Sequence, residues 1–151
     1  MIEHGARSLE EAAIATFESL AMLFASPELD AAQRATPVTV GIRVGFRGQD
    51  VDGHLELRVA SALVPSLAAN MLGQPDITTA RVQQDALGEL ANVICGNALP
   101  AVLDSRELFE LEAPVPLPET CSPHTSAPVA VAEVWLESGR ASIELYVDRI
   151  A

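Results

Sequence analysis

The chain contains no lysine: its 9 basic side chains are all arginines, set against 21 acidic ones, for a formal net charge of −12. A field of that sign repels polyanions, which argues against DNA, RNA and anionic lipid as partners, and no clustered basic stretch offsets it. Aromatic residues make up only 4%, so the core must be built from Ala, Val, Leu and Ile rather than rings. The two cysteines, Cys95 and Cys121, lack a CxxC spacing, and the three histidines, His4, His54 and His124, lie in different segments. No metal site is expected from such scattered ligands. There is no run of 18 apolar residues and no basic stretch leading into an apolar one at the start, so the expectation is a cytoplasmic protein with no membrane partner.

What is present fits an ordinary globular chain, 49% hydrophobic over 151 residues, read as a single domain over 1–151. Leu9, Ala13, Phe17, Leu20 and Phe24 form an apolar ladder at helical spacing. This predicts a helix over 9–24, with Ser8 as N-cap and Pro27 as its end. Val38, Val40, Ile42, Val44 and Phe46 alternate strictly, and the pattern resumes at Leu55, Leu57 and Val59 beyond a Gly/Asp-rich stretch, which predicts a hairpin. Helical periodicity returns over 62–72 with Gly73 as C-cap, and again over 80–103. Phe109 and Leu111 suggest a short strand. Five prolines then make 113–128 an irregular, partly mobile surface excursion. Alternation at Ala130, Ala132, Val134 and Leu136, a turn at 138–140, and Ile143, Leu145 and Val147 form a second hairpin. The order describes an α+β domain, with an antiparallel sheet from two hairpins covered by long helices and a loose doubling of the two halves.

The third long helix carries the most informative pattern. Asp85, Glu89, Asn92 and Gly96 stand at i, i+4, i+7 and i+11, within roughly 60° of one another at about 100° per residue. Leu87, Leu90, Ile94, Ala98 and Ala101 centre on the opposite side. One face packs and the other displays an acid and an amide. Gly88 and Gly96 each cost about 1 kcal/mol relative to alanine in a helix, and both flank the polar face. The expectation is bare backbone where another protein approaches Glu89 and Asn92 closely. On spacing alone Asp85, Glu89 and Asn92 read as a solvated helix face and the glycines as packing compromises against a neighbouring helix, and nothing in the pattern pairs a nucleophile with its base.

The run D-x3-E-x2-N, followed four residues later by Gly96-Asn97, resembles the signature helix of the CheC/CheX/FliY family of chemotaxis phosphatases. The hairpin carrying Gly45-Phe46-Arg47-Gly48 and Gly53, then the helix ending Asn70-Met71-Leu72-Gly73, is similar to what precedes that helix in the family, so the resemblance covers about 9–103. Members of the CheC type carry the acid-and-amide motif on two helices. The first helix here reads Glu18-Ser-Leu-Ala21, without the asparagine, which fits the CheX-like, single-motif branch.

The resemblance implies a CheC-like fold with pseudo-twofold halves and a phosphatase acting on the aspartyl phosphate of a CheY-like receiver domain. It implies catalytic roles for Glu89 and Asn92, partner contacts at Asp85, Gly88, Gly96 and Asn97, and no cofactor of its own, the Mg²⁺ being the receiver's. A homodimer is also implied. The alternative is a non-catalytic module that binds a receiver or another signalling partner through the same face.

Overall fold

Residues that alternate apolar and polar along the chain form the sheet, because side chains on successive strand positions point to opposite faces. The computed structural model describes residues 2–73, 79–118 and 127–150. In chain order these form α1 (Ile2–Ala21), α2 (Ala31–Ala35), β1 (Val38–Arg47), β2 (Val51–Ala60), α3 (Leu63–Leu72), α4 (Ala80–Val102), β3 (Glu110–Leu111), β4 (Val115–Leu117), β5 (Ala130–Leu136) and β6 (Gly139–Ile150). The sheet is antiparallel in the order β3-β1-β2-β6-β5, with β4 also on the outer edge of β1. The two expected hairpins, β1–β2 and β5–β6, meet through their second strands, His54 opposite Tyr146 and Leu57 opposite Ile143. This order places the two hairpins symmetrically about the β2–β6 pair, and among the described residues the sheet does not close on itself.

One face of the sheet is apolar. Ile42, Val44 and Phe46 of β1, Leu55, Leu57 and Val59 of β2, and Ile143 and Leu145 of β6 are all buried in one cluster with Leu9, Phe17, Leu63, Leu67, Leu90 and Ile94 of the helices. The opposite face of β2 carries His54, Glu56 and Arg58. His54 and Glu56 are buried, with His54 Nε2 3.2 Å from a Glu56 oxygen and Arg58 2.8 Å from the other. The His54 ring stacks on Tyr146 at 4.8 Å. Burial, with the carboxylates of Glu144 and Glu56 nearby, pushes the Tyr146 hydroxyl up to about 12.

The first helix differs from its expectation at both ends. It begins at Ile2, which leaves Ser8 inside it, and it stops at Ala21 rather than near Pro27. Met22 adopts the left-handed region at φ +52°, the Leu23 N–H reaches back to the Phe17 carbonyl, and the Asn70 amide donates to the Ala21 carbonyl at 2.8 Å. Residues 24–26 then bond to the edge of β5, through Ser26 N–H to the Trp135 carbonyl and Glu137 N–H to the Phe24 carbonyl. The short α2 had no counterpart in the expected order. Its signal is a capping box, Asp30 accepting from the Gln33 N–H while the Gln33 side chain accepts from the Asp30 N–H. Gly73 ends α3 in the left-handed region, as its position predicts.

The proline-rich stretch is more ordered than expected where it is described. Val115–Leu117 pairs with β1, Val115 opposite Arg43 and Leu117 opposite Gly41. An edge strand tolerates Pro116 because only one side of it needs ladder donors. Residues 119–126 lie outside the described residues, as do 74–78 of the expected loop before α4. Among the described residues no helix is long and apolar enough to cross a membrane.

Candidate functional site

Thr79 starts α4 by accepting from the Val82 N–H, and an apolar face of Leu87, Leu90, Ala91, Ile94, Cys95, Ala98 and Leu99 seats the helix against α1, α3, β1 and β2. Ala101, expected on that face, is exposed, because it falls in the last turn beyond Pro100. The buried face is also wider than a simple stripe, since helices cover α4 on one flank and the sheet on another.

Opposite this face the sequence-predicted residues come together. Asp85, Glu89 and Asn92 line one cleft of about 270 Å³ with Gln84, Gly88, Ile42 and Pro114. Asp85 and Glu89 are exposed. Asn92 is half-buried, and its Oδ1 is buried with no hydrogen-bond partner among the described residues. An amide offers a donor and an acceptor without charge, so this cleft presents a carboxylate for a cation beside a neutral group that can orient a small polar molecule.

The two glycines do not play the same part. Gly96 is exposed, and a Cβ there would meet only Leu111 Cδ1 at 3.8 Å. Gly88, expected to offer open backbone to a partner, is instead buried. A Cβ there would stand 3.0 Å from Pro114 Cβ and 3.1 Å from its Cγ, so the chain's own strand connection fills the approach that the glycine permits. Asn97 is exposed but lies outside the cleft, pointing about 140° away from Asn92 around the helix.

Gln84, Ile42 and Pro114 were not anticipated. Gln84 could have been found, since positions 84, 88, 92 and 96 form one i+4 ladder. Pro114 and Ile42 arrive from other elements, and no local pattern announces them. Cys95 faces the core, and burial pushes its thiol up to about 12, so it is protonated at neutral pH and is no nucleophile. Among the described residues no three His, Cys, Asp or Glu side chains gather closely enough to hold a metal ion.

The same fold occurs in several solved structures. A chemotaxis protein CheX from Desulfovibrio desulfuricans superposes with a TM-score of 0.72 at 20% identity, covering 95% of this chain and 99% of that one. The CheX from Vibrio vulnificus gives 0.71 at 19% identity, over 95% and 96%. A Borrelia burgdorferi structure described as a CheX–CheY–BeF3–Mg²⁺ complex gives 0.66 at 13% identity, over 99% and 100%. No curated protein matches the chain. The model of the family described as chemotaxis phosphatase CheX matches residues 40–133, a span that runs from within β1 to within β5 and holds β2, α3, all of α4, β3 and β4. The chain belongs to the CheX family of chemotaxis phosphatases.

Proposed function

We propose that this protein hydrolyses the aspartyl phosphate of a CheY-like receiver domain, with Asn92 positioning the attacking water and Glu89 anchoring the helix to the receiver. The observation that carries this reading is the cleft on α4, where an exposed carboxylate and an amide with an unengaged oxygen stand one turn apart. Family membership supports a phosphatase, and the Borrelia relative's complex with CheY supports the class of partner.

An acyl phosphate is already reactive, and phosphoryl transfer through a loose transition state needs mainly an in-line water and neutralised oxygens. The receiver brings its own Mg²⁺ and lysine. Asn92 enters the phosphate pocket, and its amide orients the water much as a glutamine does in GTPases. Glu89 pairs with the receiver's lysine, a charge-assisted contact that also exists before the reaction begins. Asp85 makes a peripheral contact. A hundredfold acceleration requires about 2.7 kcal/mol of barrier lowering, which one positioned group can supply.

The test is phosphate release from purified phospho-receivers with and without the protein. The reading expects the receiver's phosphate lifetime to shorten by about a hundredfold. Capture of the phosphorylated receiver with an unchanged lifetime would instead identify a non-catalytic module using the same face.

A further inference from the structure

We infer that the connection between β3 and β4 is the positioning element for Asn92, with Pro114 as its positioning residue. Leu111 lies opposite Gly96 and Pro114 lies on Gly88. Those glycines are eight residues apart, about 12 Å along a helix, and three residues of extended chain reach about 10 Å. Residues 111–114 therefore run alongside α4 from Gly96 to Gly88. Asn92 sits midway, one turn from each glycine.

This strap is tied to the sheet. The Glu112 N–H donates to the Gly45 carbonyl at 2.8 Å, a Glu112 oxygen lies 3.7 Å from Arg47, and the strands on either side pair with β1. The strap and the Asn92 cleft share Pro114 as a wall. A buried amide oxygen without a partner persists only where the surroundings fix it, because a free side chain would turn that oxygen to water. The strap supplies that constraint. It keeps the acceptor covered and in place for a donor that enters the cleft, so the rotamer of Asn92 is set before the receiver arrives.

The inference rests on Asn92 being the working amide of the proposed reaction, and two readouts keep the two claims apart. The first is the side-chain amide signal of Asn92 in a ¹⁵N–¹H spectrum, identified by its loss in Asn92→Ala. Pro114→Gly is expected to shift and broaden that signal, as the freed side chain samples more than one rotamer. The second readout is single-turnover dephosphorylation. Pro114→Gly is expected to lower the saturated rate about tenfold and leave the half-saturating receiver concentration within twofold. Gly88→Ala pushes Pro114 and the strap away from the helix and is expected to lower the saturated rate in the same way. The double variant Gly88→Ala/Pro114→Gly should be no slower than Pro114→Gly alone, since with the proline ring gone the added methyl meets Ile42 Cδ1 only at an ordinary 3.9 Å. An unchanged amide signal in Pro114→Gly, or multiplying losses in the double variant, would overturn the inference. If the wild-type protein releases no phosphate, the proposed function fails and the amide signal alone decides whether the strap fixes Asn92.

Discussion

Gly88 and Gly96, two turns apart on α4, meet the same strand connection at different range: a Cβ at 88 would stand 3.0 Å from Pro114, and one at 96 would stand 3.8 Å from Leu111. The first contact is tighter than most packed side chains make, so Pro114 would have to give by a few tenths of an ångström, and the second is ordinary. Gly88 is thus pressed by the chain's own strand connection, while Gly96 faces solvent.

Gly96→Leu is expected to fold normally. Leucine gains roughly 0.8 kcal/mol of helix propensity over glycine, and the exposed position has room for it. The bulk should stand against an approaching receiver and raise its half-saturating concentration about tenfold. Melting followed by circular dichroism, beside a binding titration with a phosphate mimic on the receiver, checks both halves. A melting temperature lowered by more than about 5 °C would show that Gly96 is needed for packing.

Glu56→Ala is expected to destabilise by about 3 kcal/mol, because Glu56 is 2% exposed and its two oxygens face His54 and Arg58. For a domain of this size that lowers the melting temperature by about 10 °C. Its cause is the loss of the buried carboxylate that joins His54 to Arg58, which then keep Asp148 and Glu144 at 3.0 and 3.2 Å. A loss below about 1 kcal/mol in urea would show that His54 and Arg58 find other partners easily.

Stability is expected to fall steeply above pH 9. The buried Cys95 thiol titrates at about 12 against an ordinary 9.0, and Tyr146 at about 12 against 10.0. Between those limits the unfolded chain releases protons that the folded chain keeps, so stability is lost as pH rises. For Cys95 the full window amounts to about 4 kcal/mol. Urea midpoints at pH 8 and 11, compared with those of Cys95→Ala, measure it. An equal slope in the two proteins would mean that the thiol ionises as freely folded as unfolded.

Much of this fold was legible because its elements obey their own periods. Both long hairpins, α3 with Gly73 at its end, and α4 with its acid-and-amide face follow from spacing alone. Spacing also put Asp85, Glu89 and Asn92 on one helix face, where they line one cleft, but it did not separate a site from a solvated face; only the resemblance to the family's signature helix did. What escaped depends on distant partners. Met22 turns left-handed where Asn70 caps the helix and residues 24–26 join β5, contacts more than forty residues away in sequence. Pro116 enters a strand because β1 offers an open edge. Gly88 signals a close approach, but the sequence does not say that the approaching chain is residue 114 of the same molecule.

Glu89→Ala is expected to act through binding. The carboxylate is exposed, and in the proposed complex it touches the receiver in the ground state as well as the transition state, so its loss should raise the half-saturating receiver concentration at least tenfold. Most of the rate should return at saturation. A saturated rate as low as that of an inactive variant would place Glu89 in the chemical step itself.

Asn92 bears the central claim, because the proposal gives its amide the attacking water rather than a contact with the partner, so its worth should appear in the transition state. Asn92→Asp keeps the size but sets a negative charge against the phosphoryl oxygens, and it should be as inactive as Asn92→Ala. The decisive measurement is single-turnover dephosphorylation of a Mg²⁺-loaded phospho-receiver by Asn92→Ala at saturating protein, with binding followed separately on a non-hydrolysable mimic. The account expects a rate lowered about a hundredfold, close to that of the receiver alone, with affinity within twofold of wild type. Near-normal turnover at saturation would contradict it.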